Sequence, residues 1–373
     1  MTDLYAQRRA ALAQALSQSG LHGAVFNPGP SMRYFFGRAF FLGERPILAL
    51  VTAAGRSTCV APAFEQEEIE ALGLPRAFFY AEDPRTWVDA VAQALQWARL
   101  PAKARLGIEP VRLRALELRL LQEAAPQAAF PDITAQVMAA RARKDAAEAA
   151  AMRVAVRIAE QAWEATLPVL RPGVTERQVA AELTVQLLRH GSEPELPFWP
   201  IVAFGPHSAS PHAQPGEAPL RPETPVLFDW GARHQGYVSD MTRMVWFGRA
   251  PEAGFLQVVE VVQRAVAAGI AAARPGAPAG QVDQAARQVI DAAGYGPAFL
   301  HRTGHGLGLD VHEPPYLRGD NAEPLAPGMV FTVEPGVYLA GRWGVRIEDM
   351  VHLTPQGPEV WTSLPRAVRV VEG

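Results

Sequence analysis

Acidic residues lie inside two strongly apolar stretches of this chain that otherwise have the pattern of β-strands. The first stretch, VLFDWGARHQGYVSDMTRMVWF, spans residues 226–247, is apolar at both ends and has a turn-like GARHQG in its middle. If the hairpin centre falls between His234 and Gln235, Asp229 and Asp240 lie directly opposite each other, with Cβ atoms about 4.5–5.5 Å apart. Two facing carboxylates in an apolar sheet repel each other and lose hydration, a cost that a bound cation removes. This pair alone is also compatible with the solvent-facing end of an edge hairpin.

A second predicted hairpin, MVFTVEPGVYLAGRWGVRIEDMVHL at residues 329–353, carries two glutamates. Gly341 lies midway along the sequence between Glu334 and Glu348, so a turn at Gly341 brings them opposite each other. Glutamate is almost never fully buried unless it is paired or binds a metal. Two hairpins that each contribute two facing carboxylates are unexpected in an ordinary core, and they indicate a metal site.

A glycine-rich stretch between the hairpins, HRTGHGLGLDVHEPP at residues 301–315, offers imidazole ligands. Its glycines allow the backbone to approach a site closely. It contains His301, His305 and His312, and the pattern does not distinguish which of them binds metal. Four carboxylates and one imidazole form a hard, oxygen-rich set that favours two divalent ions, Mn²⁺, Co²⁺ or Zn²⁺. Two such ions about 3.5–4 Å apart support metal-assisted hydrolysis.

Composition limits the other classes of function. The 373 residues are enough for two domains, and the net charge of −3 gives no bulk attraction to nucleic acid or anionic lipid. The single cysteine, Cys59, excludes an intramolecular disulfide and a multi-cysteine zinc site. Residues 1–20 have the pattern of an amphipathic helix rather than a signal peptide, and no run approaches the ~18 apolar residues needed to span a bilayer. We therefore expect a cytoplasmic protein that binds neither nucleic acid nor membrane.

The chain is predicted to contain an N-terminal α/β domain at residues 1–130 and a catalytic domain at residues 131–373. In the first domain, GAVFNP, PILALVTAA and TCVAPAF are strand-like, and TWVDAVAQALQWARL is helical. The alanine-rich residues 133–167 are predicted to hold the domain joint and then a long helix. Thr175, followed by Gln178, predicts the capped start of another helix. No GxGxxG turn follows a strand and no GxSxG elbow occurs, which excludes the simplest dinucleotide-binding and α/β-hydrolase interpretations.

Four motifs of the second domain, in their order and spacing, resemble those of the pita-bread metallopeptidases: FDWGARHQGYVSDMTR, HRTGHGLGLDVHEPP, FTVEPGVY and GVRIED. That family includes Xaa-Pro aminopeptidase, prolidase (Xaa-Pro dipeptidase), methionine aminopeptidase and the metal-free creatinase. The resemblance implies an α+β fold, in which a pita-bread catalytic domain has a curved antiparallel sheet with helices on its outer face. It also implies a smaller preceding α/β domain, as in the prolidase, aminopeptidase P and creatinase branch, and a homodimer.

The resemblance further implies which residues bind the metal ions. The implied ligands are Asp229, Asp240, His305, Glu334 and Glu348. Asp240 and Glu348 would bridge both ions.

Catalytic and substrate-binding residues are implied in the same way. His212 corresponds to the histidine that hydrogen-bonds the reacting amide, and His312 to the histidine that contacts the substrate carbonyl. His301 corresponds to a further active-site histidine, Arg346 orients a ligand carboxylate, and Glu334 exchanges the proton of the attacking water. The positions that line the substrate pocket correspond to Phe198 and Tyr338.

The implied activity is that of an exopeptidase that cleaves Xaa-Pro bonds, in dipeptides for a prolidase or in longer peptides for aminopeptidase P. Prolidases often have an arginine four residues after the His312-type histidine, and here that residue is Tyr316. Arg45, in an aromatic loop of the N-terminal domain, is the predicted cation for the substrate carboxylate, although a solvated loop arginine fits the pattern as well. We favour the dipeptidase, with aminopeptidase P as the alternative and a non-catalytic peptide-binding module as a remote one. Methionine aminopeptidase fits neither the extra domain nor His301.

Overall fold

The computed structural model describes residues 2–372, with side chains from residue 4 onwards, and the chain divides into two compact units, Met1–Arg141 and Ala142–Gly373. This division lies further along the chain than the predicted boundary after residue 130. Residues 131–141 stay with the first unit because Asp132 forms a parallel bridge with Ile108, and because Arg141 Nη1 donates a 3.1 Å hydrogen bond to Ser31 Oγ.

The first unit consists of a mixed sheet and helices. Its helices are α1 (Thr2–Gln18), α2 (Pro30–Phe36), α3 (Gln66–Glu70), α4 (Trp87–Trp97), α5 (Ala115–Ala124) and α6 (Thr134–Ala142). Its strands are β1 (Gly23–Phe26), β2 (Leu48–Thr52), β3 (Ser57–Pro62), β4 (Arg76–Tyr80) and β5 (Leu106–Gly107). The strand order is β4-β3-β2-β1-β5, in which β3–β4 and β1–β5 are parallel and the other pairs antiparallel.

The strands β1, β2 and β3 are buried along their whole length, which is typical of a sheet covered on both faces. β1 and β2 lie within their predicted strand-like stretches, β3 begins one residue before its predicted stretch, and α4 lies within the predicted helix. The α/β character expected of this part of the chain is therefore confirmed.

The second unit carries every predicted metal ligand. Its helices are α7 (Ala146–Thr166), α8 (Glu176–Arg189), α9 (Ala253–Ala272) and α10 (Ala279–Ala292). Its first strands are β6 (Ile201–Phe204), β7 (Thr224–Trp230), β8 (Arg233–His234), β9 (Tyr237–Val238) and β10 (Met241–Phe247). The later strands are β11 (Gly304–Gly306), β12 (Glu313–Leu317), β13 (Val330–Val333), β14 (Gly336–Leu339), β15 (Trp343–Arg346), β16 (Asp349–Thr354), β17 (Gly357–Val360) and β18 (Arg369–Val371).

Two larger sheets and two hairpins organise these strands. One sheet has the order β18-β10-β7-β6 and the other the order β12-β11-β13-β16-β17, while β14–β15 and β8–β9 are two-stranded. All pairs are antiparallel except β10–β18. The antiparallel sheets with helices match the expected α+β class.

Helix capping explains where α7 and α8 begin. Asp145 forms a capping box with Glu148, and Thr175 forms the predicted one with Gln178. The predicted helical segment at residues 133–167 is thus divided into α6 and α7, because the Asp145 cap starts a new helix.

The apolar composition of α9 reflects its position in a core. By length and composition alone, Ala253–Ala272 could cross a membrane. In the structure, however, Phe255, Val258 and Val262 are completely buried, in a cluster that also contains Phe331 and Val351. This packing accounts for the hydrophobicity of the helix.

The first predicted hairpin forms, but its register prediction is wrong. Asp229 pairs with Thr242, two residues beyond Asp240. The turn residues are Gln235 and Gly236, with φ of 49° and 80°, and positive φ at both central residues is what a two-residue type I′ turn requires. Glycine in the second central position therefore centres the turn one residue later than predicted. Since the shift is an even number of residues, the alternation of faces is retained.

The second predicted hairpin has the predicted register. Gly336 pairs with Arg346, and Val333 pairs with Asp349, so both pairings are centred on Gly341. Gly341 has a φ of 76°, which glycine adopts without steric cost. The ladder is interrupted only where Glu334 and Glu348 occur, between the β13–β16 pair and the β14–β15 pair.

Candidate active site

The β7–β10 pair positions the two aspartates. Asp229 lies in β7, between Ile201 of β6 and Thr242 of β10 in the register. Asp240 immediately precedes β10 and is buried, and its backbone N–H points at the Met350 sulfur, 3.4 Å away. The pKa of Asp240 is raised well above its ordinary value by burial and by the negative charges of neighbouring carboxylates.

Thr242 connects this sheet to Glu348. The backbone N–H of Glu348 donates a 3.2 Å hydrogen bond to the Thr242 carbonyl, and the Thr242 hydroxyl donates to Glu348 Oε2 at 2.7 Å. Glu348 is 1% exposed, and burial together with nearby carboxylates raises its pKa well above the ordinary range. The glutamate after β15 is therefore fixed beside the aspartates of β7 and β10.

His305 and Glu334 complete the cluster. The Nδ1 of His305 donates to the Gly306 carbonyl at 3.1 Å, which leaves Nε2 as the nitrogen available to a ligand. That Nε2 lies 3.2 Å from Glu334 Oε1 and 3.7 Å from Asp240 Oδ2. Burial alone would raise the pKa of Glu334, but the hydrogen bond and charge of His305 outweigh it and lower the pKa to about 2.

The donor atoms fit a divalent cation. Ligand atoms of Asp240, His305 and Glu348 all lie within 4.8 Å of one another. Two buried carboxylate oxygens, Asp229 Oδ1 and Glu348 Oε1, have no hydrogen-bond partner among the described residues. Buried polar atoms are normally paired, and carboxylates held this close repel one another, so a cation would remove both penalties.

Arg346 binds this cluster from one side. Its Nη2 donates to Asp229 Oδ2 at 2.5 Å, and its Nε donates to the Thr242 hydroxyl at 3.1 Å. Because Thr242 in turn donates to Glu348, one buried guanidinium orients two carboxylates. Although burial opposes its charge, the neighbouring Tyr338 and carboxylates hold the pKa of Arg346 well above its ordinary value.

A hydrogen-bond chain continues from Arg346 through Tyr338 to His301. Arg346 Nη1 donates to the Tyr338 hydroxyl at 2.8 Å, and that hydroxyl lies 2.7 Å from His301 Nε2. His301 Nδ1 lies 2.8 Å from the Arg302 carbonyl, which can only accept, so Nδ1 carries the proton and Nε2 accepts from Tyr338. Burial raises the pKa of Tyr338 to about 12 and lowers the pKa of His301.

His312 and His212 lie near this centre at more accessible positions. The ring of His312 packs edge-on against His305, with ring centroids 4.2 Å apart. Burial and the positive charges of His305 and Arg302 lower the pKa of His312 to about 4. His212 is exposed, and its charge contributes to the lowered pKa values of His301 and His312, so it lies within electrostatic range of both.

Comparison with known protein families agrees with this arrangement. The family described as "Metallopeptidase family M24" matches residues 150–355, which is more than half of the chain, and the "Creatinase/Prolidase N-terminal domain" family matches residues 8–143.

This chain belongs to metallopeptidase family M24.

The probable dipeptidase PepE of Mycobacterium tuberculosis is 35% identical to this M24 peptidase over 99% of the chain and 97% of the relative. A prolidase from Thermococcus sibiricus is 31% identical and superimposes with a TM-score of 0.91, covering 98% of this chain and 99% of the other. An X-Pro aminopeptidase from Thermotoga maritima is 30% identical with a TM-score of 0.85, covering 97% and 99%. The predicted pita-bread fold and metallo-exopeptidase class are thereby confirmed.

In this M24 peptidase the loop that carries His212 is fixed by Glu176, a residue that the sequence analysis did not identify. Glu176, completely buried at the start of α8, accepts hydrogen bonds from the backbone N–H groups of Phe204 at 2.7 Å and Gly216 at 2.9 Å. It also contacts the His207 ring at 2.8 Å. One carboxylate thus closes residues 204–216 into a fixed loop. An acidic residue in the first turn of a helix is usually interpreted as an exposed residue that interacts with the helix dipole. The anchoring of residues 204–216 by Glu176 is therefore evident only from the fold.

Within the second unit, no hydrogen bond, ion pair or ring contact of the described residues joins the predicted substrate-binding residue Phe198 to this network. Phe198 is half-buried in the segment before β6, three positions ahead of the residue that pairs with Asp229. Arg45 belongs to the first unit, where its guanidinium is hydrogen-bonded to Glu82 at 2.8 Å and to Glu44 at 2.5 Å. The third, Tyr338, contacts Arg346 and His301 as described above.

Proposed function

We propose that this M24 peptidase is an Xaa-Pro dipeptidase that uses two divalent metal ions, Mn²⁺, Co²⁺ or Zn²⁺. The observation that carries the proposal is the pair of buried, unpartnered carboxylate oxygens, Asp229 Oδ1 and Glu348 Oε1, inside a cluster of carboxylates and one imidazole. The substrate class is supported by relatives named dipeptidase, prolidase and X-Pro aminopeptidase.

We assign the metal ligands to the residues that converge at this centre. They are Asp229, Asp240, His305, Glu334 and Glu348. Asp240 and Glu348 are the proposed bridging ligands, as the family resemblance implies; both are buried, and their ligand atoms lie within 4.8 Å of each other. When bound, the ions would polarise the scissile carbonyl and activate a water molecule for attack.

Glu334 is the proposed proton carrier. The Thr332 hydroxyl donates a 3.3 Å hydrogen bond to its Oε1, which orients the carboxylate. A group held in this way can accept a proton from the attacking water and return it to the leaving nitrogen.

His312 and His212 are the proposed contacts to the reacting amide. With a pKa of about 4, His312 is neutral at neutral pH, and its remaining ring N–H can donate a hydrogen bond to the developing oxyanion. His212 projects from the loop anchored by Glu176 and is assigned to the amide of the substrate. His301, whose ring nitrogens both have partners, is assigned to positioning Arg346 through Tyr338.

The proposed substrate pocket must recognise the proline residue by the shape of its ring. An Xaa-Pro amide has no N–H, so no acceptor for that hydrogen is needed at the scissile bond. Phe198 remains the proposed wall for this pocket, and the homodimer and cytoplasmic location remain predictions.

Aminopeptidase P activity is the second candidate. It is favoured by the X-Pro aminopeptidase relative and by Tyr316, which occupies the position where prolidases often have arginine. The two activities differ in whether the substrate chain ends directly after proline.

The test compares hydrolysis of Ala-Pro, Ala-Pro-Ala and Ala-Ala by the full chain loaded with Mn²⁺, Co²⁺ or Zn²⁺. We expect cleavage of Ala-Pro to be the fastest and to be lost in Asp240→Asn, while the exposed Asp320→Asn control retains it. Faster cleavage of Ala-Pro-Ala would replace the dipeptidase with the aminopeptidase. Absence of cleavage of both proline substrates would refute the proposed substrate class.

A further inference from the structure

Arg302 is a cation beside the candidate active site that has no carboxylate partner. It follows His301 and lies two residues before β11, the strand that carries His305. Its side chain is half-buried, and its guanidinium carbon lies 4.5 Å from the centroid of the Tyr316 ring. No salt bridge between Arg302 and a carboxylate occurs among residues 4–372.

Tyr316 holds this guanidinium next to the metal-ligand strand. The Cα of Tyr316 pairs with the Cα of His305 in the β11–β12 ladder, so the aromatic platform starts from the position opposite a predicted ligand. A guanidinium over an aromatic face is attracted to it, while its N–H groups, which point outward in the plane of the guanidinium, stay available to a ligand. The Arg302 charge also reaches His312, because it is one of the causes of that histidine's lowered pKa.

Other arginines of the second unit near these residues are already committed. Arg346 binds Asp229, Arg287 binds Asp283, and Arg318 binds Asp320. Of these cations around the site, Arg302 therefore retains an unused fork of donors. A half-buried guanidinium whose N–H groups have no carboxylate partner can donate them to a negatively charged ligand.

We propose that Arg302, stacked on Tyr316, binds the α-carboxylate of a substrate whose scissile carbonyl is contacted by His312. This inference rests on the proposed function and deepens it. Arginine matches a carboxylate by two parallel N–H···O hydrogen bonds, a geometry that a lysine does not reproduce. In a dipeptide the carboxylate directly follows the proline ring, whereas in a longer peptide that position is a neutral amide. Arg302 would thus favour dipeptides. It would take the role of the arginine that prolidases often have at the position of Tyr316.

The inference is tested with metal-loaded full-length variants and a pair of substrates, Ala-Pro and its amide Ala-Pro-NH₂. Arg302→Gln is expected to lower kcat/KM for Ala-Pro by roughly 10- to 100-fold, mainly through KM, because one partner of a desolvated charge pair is lost. Ala-Pro-NH₂ should change less than about 3-fold, since it makes no such pair. Arg302→Lys should recover part of the loss. Arg318→Gln, which removes an exposed arginine on the same segment as Tyr316, is the matched control and should behave as wild type.

A second readout separates this inference from the proposed function. Binding of L-proline and of L-prolinamide to the metal-loaded protein is measured by calorimetry, which needs no turnover. We expect wild type to prefer proline, and Arg302→Gln to lose that preference. Equal losses for Ala-Pro and its amide, or a preference for proline that survives in Arg302→Gln, would overturn the role of Arg302. Failure of wild type to cleave any Xaa-Pro substrate would instead count against the proposed function.

Discussion

The Arg346 guanidinium lies 2.5 Å from Asp229 Oδ2; the arginine side chain is 3% exposed and the aspartate side chain 14%. The same guanidinium reaches Glu348 through the Thr242 hydroxyl. Two carboxylates that come from different hairpins are thereby held at a fixed separation before any ion binds. Preorganisation of this kind lowers the free-energy cost of assembling a metal site.

Arg346→Lys tests this positioning role. A lysine keeps the positive charge but cannot make the separate hydrogen bonds to Asp229, Thr242 and Tyr338. We expect metal affinity and kcat/KM to fall by roughly 10- to 100-fold. Metal content after dialysis, measured by mass spectrometry, and kcat/KM for Ala-Pro are the readouts. Wild-type metal affinity in Arg346→Lys would show that Arg346 does not position the ligands.

Tyr338→Phe breaks the hydrogen-bond chain between Arg346 and His301. The phenylalanine leaves His301 Nε2 without its donor, and a buried unsatisfied group costs about 1–3 kcal/mol in the free energy of unfolding. Urea titration of the metal-loaded protein measures this loss. The Tyr295→Phe variant, which changes a tyrosine outside the network, is the control. An unchanged urea midpoint in Tyr338→Phe would mean that the hydroxyl adds nothing to stability.

Glu176→Gln tests the loop that carries His212. The neutral amide can accept only through one oxygen, so the bonds to Phe204 and Gly216 cannot both be kept as charge-assisted bonds. We expect a loss of about 1–3 kcal/mol in the free energy of unfolding and a lower kcat. Glu217→Gln is the matched control, because Glu217 forms an exposed ion pair with Arg177 and such pairs contribute little. Equal effects of the two substitutions would contradict the role of Glu176.

The metal-free protein should become less stable as pH rises. Asp240 and Glu348 have pKa values raised above 3.8 and 4.5, so over a window that starts at those values the folded state binds more protons than the unfolded state. The stability they contribute is therefore present below that window and is lost as pH rises through it. Asp240→Asn and Glu348→Gln should consequently raise the urea midpoint of the metal-free protein at pH 8 while weakening metal binding. A lower midpoint in both variants would contradict the electrostatic account.

Much of the site follows from the sequence because hairpin geometry is local. The register of the second hairpin follows from Gly341 alone, since a glycine with positive φ sets the turn. The first hairpin shows the limit of this reasoning. GARHQG offers more than one turn centre, and Gln235–Gly236 is selected because type I′ geometry favours glycine in the second position.

Other parts of the site depend on burial and pairing, which sequence patterns do not reveal. Glu176 occurs in a first helical turn, where acidic residues are common on surfaces, yet it is completely buried. The sequence does not distinguish Arg302 from Arg318. Only the fold shows that Arg318 forms an ion pair with Asp320, whereas Arg302 stacks on Tyr316. The hydrogen bonds of Arg45 to Glu82 and Glu44 are likewise not evident from the sequence of its loop.

Anomalous diffraction from crystals of the Mn²⁺- or Zn²⁺-loaded protein tests the central claim most directly. The account predicts two anomalous peaks about 3.5–4 Å apart, both bound by Asp240 and Glu348, with His305 Nε2 about 2.0–2.2 Å from one of them. No peak at this cluster, or peaks bound by other residues, would contradict it.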